Sequence, residues 1–375
     1  MDVARCVALL GMVATHVAAE RDPDGSISAL HWLASGRASA LFAVLAGVTL
    51  ALGTGGRVPV VGRERAARSA GFAVRALLVA LLGLALGGLP SGLAIILTYY
   101  GVLFLLGLPF VGLRAGPLLA LAAVWCVVAP VLSEVVRPLL PERGFDSPDL
   151  LALAEPGRLV SELLFTGYYP AVPWLTYLLV GMAVGRMDLR RPAVAAALAV
   201  GGLVVAAAAT AVSRLLVAGE VARRLAAELA IPVRPGDLDR ALSFGLPGTT
   251  PTGGSWQWLL TAAPHSATPF DLAATVGSSL LMIGLCLLLC GSLPAGPGRA
   301  VEVLFGAGRS TLTLYSLHVV LRTPDVPPGD DPTDLVWHVL VLLAIGAVLA
   351  AARRRGPLEA AVGTVSTAVA DAVRR

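Results

Sequence analysis

The chain contains no lysine, only four cysteines and few charges. Of its 375 residues, 14% are charged and 6% aromatic. Each shortage excludes something. A soluble fold of this length needs far more polar surface, so a soluble globular enzyme is excluded. With lysine missing, all 28 basic side chains are arginines. The net charge of +4 is too modest for a nucleic-acid partner. Cys6, Cys126, Cys286 and Cys290 all lie in apolar runs at no metal-ligand spacing, which leaves them as small packing residues. The five histidines contain no His-x3-His, so no metal site is expected. The glycine-rich stretch Gly53-Thr54-Gly55-Gly56-Arg57 follows an apolar run rather than a strand and is no nucleotide fingerprint. It reads as topology-setting charge, with a phosphate cradle as the alternative.

Apolar length is what the chain has in excess. It is 57% hydrophobic, with mean hydropathy +0.81. Runs of ~17–25 apolar residues can span a bilayer, and about ten occur: 3–19, 36–52, 72–89, 93–111, 118–135, 169–187, 193–217, 272–293, 301–321 and 335–352. Pro109 interrupts the fourth, a break that neighbouring helices can satisfy. The expected fold is all-α, a polytopic membrane helical bundle of about ten transmembrane helices. Residues 1–352 form one transmembrane domain, and 353–375 an amphipathic tail on the inner surface. The first run carries Asp2 in a short n-region and is longer than a signal-peptide core, so it reads as a retained span.

Arginine distribution sets the orientation. Arg57, Arg63, Arg65 and Arg68 crowd one linker, three arginines crowd 186–191, and Arg114, Arg299 and 353–355 mark further ends. Linkers 20–24, 134–162, 220–239 and 325–334 are acidic or mixed. With every run alternating, the positive-inside rule puts both termini in the cytoplasm of a cell-membrane protein. All five histidines then map to the outer side. In the longest non-spanning stretch, 218–269, a short helix is expected at 222–230, followed by a loop with Trp256 and Trp258 as interface anchors.

The ionisable groups inside these runs are the candidates for chemistry, because such groups face a bundle interior or a water-filled cavity. Asp2, Arg5 and His16 fall on one helical stripe, Arg5 and His16 about 16 Å apart at ~1.5 Å per residue. Arg37 heads the second run, and His31 stands in the loop between the two. His265 sits in a turn context, Pro264-His265-Ser266. In run nine, Thr311, Tyr315 and His318 share a face, with Arg309 about two turns inside the run. Imidazoles suit proton transfer near neutral pH. Arginine forks suit phosphates.

These residues also resemble a known family. Asp2-Val3-Ala4-Arg5, Leu9-Leu10-Gly11-Met12-Val13 and a polar residue at 16 resemble the opening of the heparan-α-glucosaminide N-acetyltransferase catalytic domain and its bacterial relatives. So do Gly36-Arg37 through Gly47, Tyr168-Tyr169-Pro170 through Trp174, Gly181 through Leu189, Pro264-His265-Ser266, and Gly308-Arg309 through His318. The family has Asn where this chain has His16, and usually Arg-Gly where it has Arg5-Cys6. The resemblance implies a membrane acyltransferase that takes acetyl from acetyl-CoA on the cytosolic side to an amino sugar on the far side. It maps the active-site histidine onto His31. The expected roles are His31 and His16 in catalysis, with His265, Arg37, Tyr315 and His318 around a sugar or glycan acceptor. Arg5, Arg57 and Arg309 are expected to hold the donor. No metal is expected, and a homo-oligomer is left open. A transporter or exporter of a polar or lipid-linked substrate, and a non-catalytic sensor with titrating histidines, are the alternatives.

Overall fold

A computed structural model describes residues 1–144, 146–229, 237–324, 326–327 and 334–375. Most of the acid-rich linker 325–334, and Ala230 at the end of the expected 222–230 helix, lie outside the described residues. The chain is 74% helix with no strand among the described residues. Its helices are α1 (Asp2–Val17), α2 (Ala29–Ala34), α3 (Arg37–Gly53), α4 (Gly62–Gly87), α5 (Leu97–Gly107), α6 (Ala115–Val136), α7 (Pro156–Ser161) and α8 (Ala171–Gly185). There follow α9 (Pro192–Leu216), α10 (Glu220–Glu228), α11 (Asp237–Ser243), α12 (Pro269–Ser292), α13 (Ala295–Leu304), α14 (Thr311–Leu321), α15 (Leu335–Ala351) and α16 (Pro357–Arg374).

Among the described residues, five stretches are long and apolar enough to cross a membrane: Ala29–Gly53, Gly62–Gly87, Ala115–Leu139, Pro192–Leu216 and Pro269–Ser292. A sixth arises if Pro156–Thr166 and Ala171–Gly185, bent by 54°, form one broken span. Leu97–Phe110, Thr311–Leu321 and Leu335–Ala351 are shorter apolar helices. Large apolar side chains stay exposed along α9 (Val200, Leu203, Val204) and α6 (Val124, Val127, Val128). Water would not tolerate such faces, and lipid does.

Helices approach closely where glycines permit it. A Cβ on Gly181 would lie 1.9 Å from the Val44 carbonyl oxygen, and one on Gly47 2.2 Å from that of Leu178. The α3 and α8 backbones therefore touch, which small residues favour in membranes. Gly202 of α9 meets α12 in the same way.

Four expectations need correction. Run nine is not one helix but α13, a tight turn at Gly306–Arg309, and α14. The turn is held by backbone packing: a Cβ on Gly308 would lie 1.8 Å from the Asp2 carbonyl oxygen. Arg309 is accordingly an exposed turn residue, not one deep in a span. His31 lies in the first turns of α2, not in a loop. Trp258 is fully buried and donates to Glu228 at 2.7 Å, anchoring the small cluster of Leu225 and Leu238, whereas Trp256 stays exposed.

For the glycine-rich stretch, expected to be topology-setting charge, only the alternative of a phosphate cradle is overturned. Its carbonyls aim at a cation, not its N–H groups at an anion. Arg186 is 5% exposed and donates to the carbonyls of Ala51 at 2.8 Å, Gly56 at 2.7 Å and Val111 at 2.5 Å, and to Thr54 Oγ1 at 3.0 Å. This guanidinium cage ties the end of α8 to the end of α3 and has the opposite polarity to a phosphate cradle.

Candidate functional site

One stripe of α1 runs between two hollows. At the start of the helix, Arg5 pairs with Asp2 at 3.0 Å and donates to Thr49 Oγ1 of α3 at 2.8 Å. At its end, His16 Nδ1 lies 3.2 Å from His318 Nε2, and the two rings stack at 5.4 Å. His338 meets His318 edge-on at 5.2 Å. These contacts join the end of α1 to α14 and α15.

The larger hollow has a volume of about 810 Å³ and is lined by His16, His31 and His265, with Glu20, Glu162, Tyr99, Tyr168, Arg143 and Arg322 among its other walls. That volume suits a sugar-sized or larger ligand. Ser28 places His31: its Oγ caps α2 by accepting the His31 N–H at 3.3 Å and donates to the Ala19 carbonyl at 2.8 Å, tying the α2 cap back to the end of α1. Among the described residues, the buried His31 Nδ1 has no hydrogen-bond partner. His265 comes from a strained loop in which both His265 (φ 56) and Ala267 (φ 53) are left-handed. The first turn of α12 holds that loop: Asp271 accepts the Ala267 N–H at 3.0 Å, and Thr268 caps the Asp271 N–H at 3.1 Å. His265 Nε2 accepts the Gly36 N–H at 3.2 Å. That bond leaves the hydrogen on Nδ1, which is buried and unpartnered at the cavity wall.

Sequence reasoning missed several wall residues. Glu162 is buried and opens a π-helical turn, Glu162–Thr166, with the Tyr99 hydroxyl donating to it at 3.4 Å. Arg322 carries two buried nitrogens without a partner among the described residues. Arg322 directly follows run nine, and its charge at a run end was the available signal. Nothing local marks Glu162.

The smaller hollow, about 150 Å³, lies at the Arg5 end and is lined by Arg5, Arg75, Arg309, Thr311 and Glu359 among others. Arg75 was also missed, although an arginine inside run 72–89 is itself a signal. The linings of the two hollows touch. Tyr100 lines the smaller one, stacks on Phe42 at 5.6 Å, and donates to the carbonyl of Ser39, a residue that lines the larger one.

The remaining candidates lie elsewhere. Arg37, at the start of α3, donates to the Trp32 carbonyl and sits over the Trp32 ring at 5.2 Å, beside the cavity rather than in its wall. Tyr315 is buried and accepts the Ile96 N–H at 3.3 Å. His318 stands one ring behind His16. Arg57 is at the surface, paired with Asp188 at 3.0 Å. The four cysteines are free.

Burial and the nearby His31 push the His265 imidazole down to about 4. A depressed folded value means that the unfolded chain binds the proton more readily. The stabilisation is therefore complete above the ordinary value near 6.5 and is lost as pH falls toward 4. The loss should reach on the order of 3 kcal/mol at the bottom of that window. Thermal melts from pH 7.5 to 4 should show this drop, and His265→Gln should flatten it. An equally steep drop in the variant would assign the effect to other groups.

No curated protein and no solved structure matches the chain. The family profile described as heparan-alpha-glucosaminide N-acetyltransferase, catalytic, matches residues 1–217. The match includes Arg5, His16, His31 and Glu162, but ends before His265, Arg309 and His318. It covers more than half of the sequence, so with its helical architecture and long apolar helices the chain belongs to the heparan-alpha-glucosaminide N-acetyltransferase catalytic-domain family.

Proposed function

We propose that the protein is an integral-membrane acyltransferase that moves an acetyl group from acetyl-CoA to a sugar or amino sugar of an envelope glycan or glycolipid. Family membership implies a multi-pass membrane transferase of acetyl groups. The observation that carries the finer reading is that α1 lines both hollows, with Arg5 in the cationic one and His16 in the histidine-rich one. A reaction with donor and acceptor entering from opposite faces needs two such chambers that meet where the acceptor's nucleophile reaches the thioester carbonyl.

Six long spans, three shorter apolar helices and α1 would make about ten crossings. The arginine distribution supports cytoplasmic termini and a place in the cell membrane. Residues 1–352 would then form the catalytic domain, with 353–375 as a cytoplasmic tail.

The smaller pocket suits an anionic donor group. Three arginines line it, and the buried Arg75 Nε lacks a partner. Arg5 and Arg309 would hold donor phosphates, with Arg57 a surface cation at the same end. When bound, acetyl-CoA supplies a thioester carbonyl. His31 would take the proton of the acceptor's amine or hydroxyl as that group attacks the carbonyl; the C–S bond would then break and CoA leave as its thiol, with the proton returned to sulfur. His16, backed by His318, would orient the acceptor, and His265 would donate from Nδ1. Arg37 and Tyr315 would brace these walls.

Purified protein given labelled acetyl-CoA and a panel of amino sugars should form a labelled acetyl sugar. Reporters at Arg63 and Asp146 should react from opposite faces of the membrane. Absence of transfer to every acceptor, with binding and flux of a polar solute instead, would favour the transporter.

A further inference from the structure

The smaller pocket already contains an anion that belongs to the chain. Glu359, in the first turn of α16, points its carboxylate at the start of α14. It accepts the Leu312 N–H at 2.6 Å, the Thr313 N–H at 3.2 Å and the Thr313 hydroxyl at 2.5 Å. These are the free amide donors of a helix N-terminus, where a phosphate would also bind. Arg5, Arg75 and Arg309 line the same pocket. Arg75 contributes a buried Nε without a partner among the described residues, so the pocket has a cationic donor that Glu359 does not satisfy.

Size is the second observation. At about 150 Å³, the pocket admits a phosphate-sized group but is well below the ~300–1,000 Å³ typical of sites for larger ligands. One wall of it, at Glu359, is α16, which packs along α4. Arg374 donates to Glu64 at 2.7 Å, Arg63 to the Val373 carbonyl at 3.1 Å, and a Cβ on Gly71 would lie 2.8 Å from the Ser366 carbonyl oxygen. The contacts at its far end, Arg374 to Glu64 and Arg63 to Val373, are charged and exposed, which suits a helix end that can release, whereas the Gly71–Ser366 contact between them and the pocket is close-packed backbone.

We propose that Arg75 is a further donor-binding residue and that Glu359 is a built-in competitor that the donor's phosphate must displace. The inference rests on the donor reading above. A competitor that occupies the site reduces the fraction of chains competent to bind and so weakens the apparent affinity in proportion. Releasing α16 then opens the pocket to the rest of the donor.

The test is binding of CoA and of phosphate-free acetyl-pantetheine to the full chain in nanodiscs. Glu359→Gln should tighten CoA binding, and Arg75→Gln should weaken it, each by about tenfold, the scale of one charge-assisted hydrogen bond. Acetyl-pantetheine binding should be unmoved by Arg75→Gln. Because Glu359→Gln also removes a helix cap, Arg374→Gln provides a second route: it loosens α16 without touching the pocket and should tighten CoA binding several-fold. Unchanged or weaker CoA binding in both Glu359→Gln and Arg374→Gln overturns the competitor. Unchanged binding in Arg75→Gln removes that residue from the site. If Arg5→Gln and Arg309→Gln are also without effect, the donor reading fails as well, an outcome distinct from failure of the competitor alone.

Discussion

His31→Ala should lower acetyl transfer on the order of 10²–10⁴-fold, the usual cost of removing a positioned base. The residue is 7% exposed, yet its Nδ1 has no partner among the described residues and the side chain lines a cavity of about 810 Å³. Its position depends on backbone bonds and the Ser28 cap, which alanine keeps, so expression and melting should change little. Added imidazole should restore part of the rate, because the deleted ring leaves room beside the cavity. His338→Ala should reduce transfer far less, since His338 contacts His318 and is not in the cavity wall. The assay is single-turnover transfer in membranes. Near-normal transfer by His31→Ala would reject the base assignment and shift support to the transporter.

Gly181→Val should leave little folded protein. Its Cβ would fall 1.9 Å from the Val44 carbonyl oxygen and 3.0 Å from Gly47 Cα. Overpacking that side chains can absorb costs ~1–3 kcal/mol. Here the obstacle is backbone, so α3 and α8 must separate, and the cost should exceed that range. The α3 helix also carries Ser39 at the wall of the larger cavity and Thr49 at the smaller pocket, so both hollows would deform together. Gly201→Ala is the matched control: nothing lies within 4 Å of its Cβ, and the change should be neutral or slightly stabilising. Detergent size-exclusion profiles and melting midpoints would compare the two. A well-folded Gly181→Val protein would contradict the backbone contact.

The composition of each run decided most helices, because a bilayer demands internally satisfied backbone and an apolar exterior over a set length. Runs 118–135, 193–217, 272–293 and 335–352 therefore correspond closely to α6, α9, α12 and α15. The α1 stripe was legible for the same reason: helical periodicity alone aligns Arg5 with His16. Run nine was misread because hydropathy does not register where a backbone must break to pass another. Gly306 and Gly308 look like ordinary apolar-run glycines until Asp2 and Gly346 are packed against them. The Arg186 cage was hidden likewise, since its ligands come from Ala51, Gly56 and Val111 on other segments. Tertiary structure alone decided which chemistry-bearing residues meet. His16 and His318 are 302 residues apart, and His265 reaches Gly36 across 229. No local pattern encodes such pairs, because they depend on how finished helices pack. Glu162 shows the limit most clearly: one carboxylate among several in an acidic linker, it becomes part of a cavity wall only because a π-turn and the α8 bend aim it there.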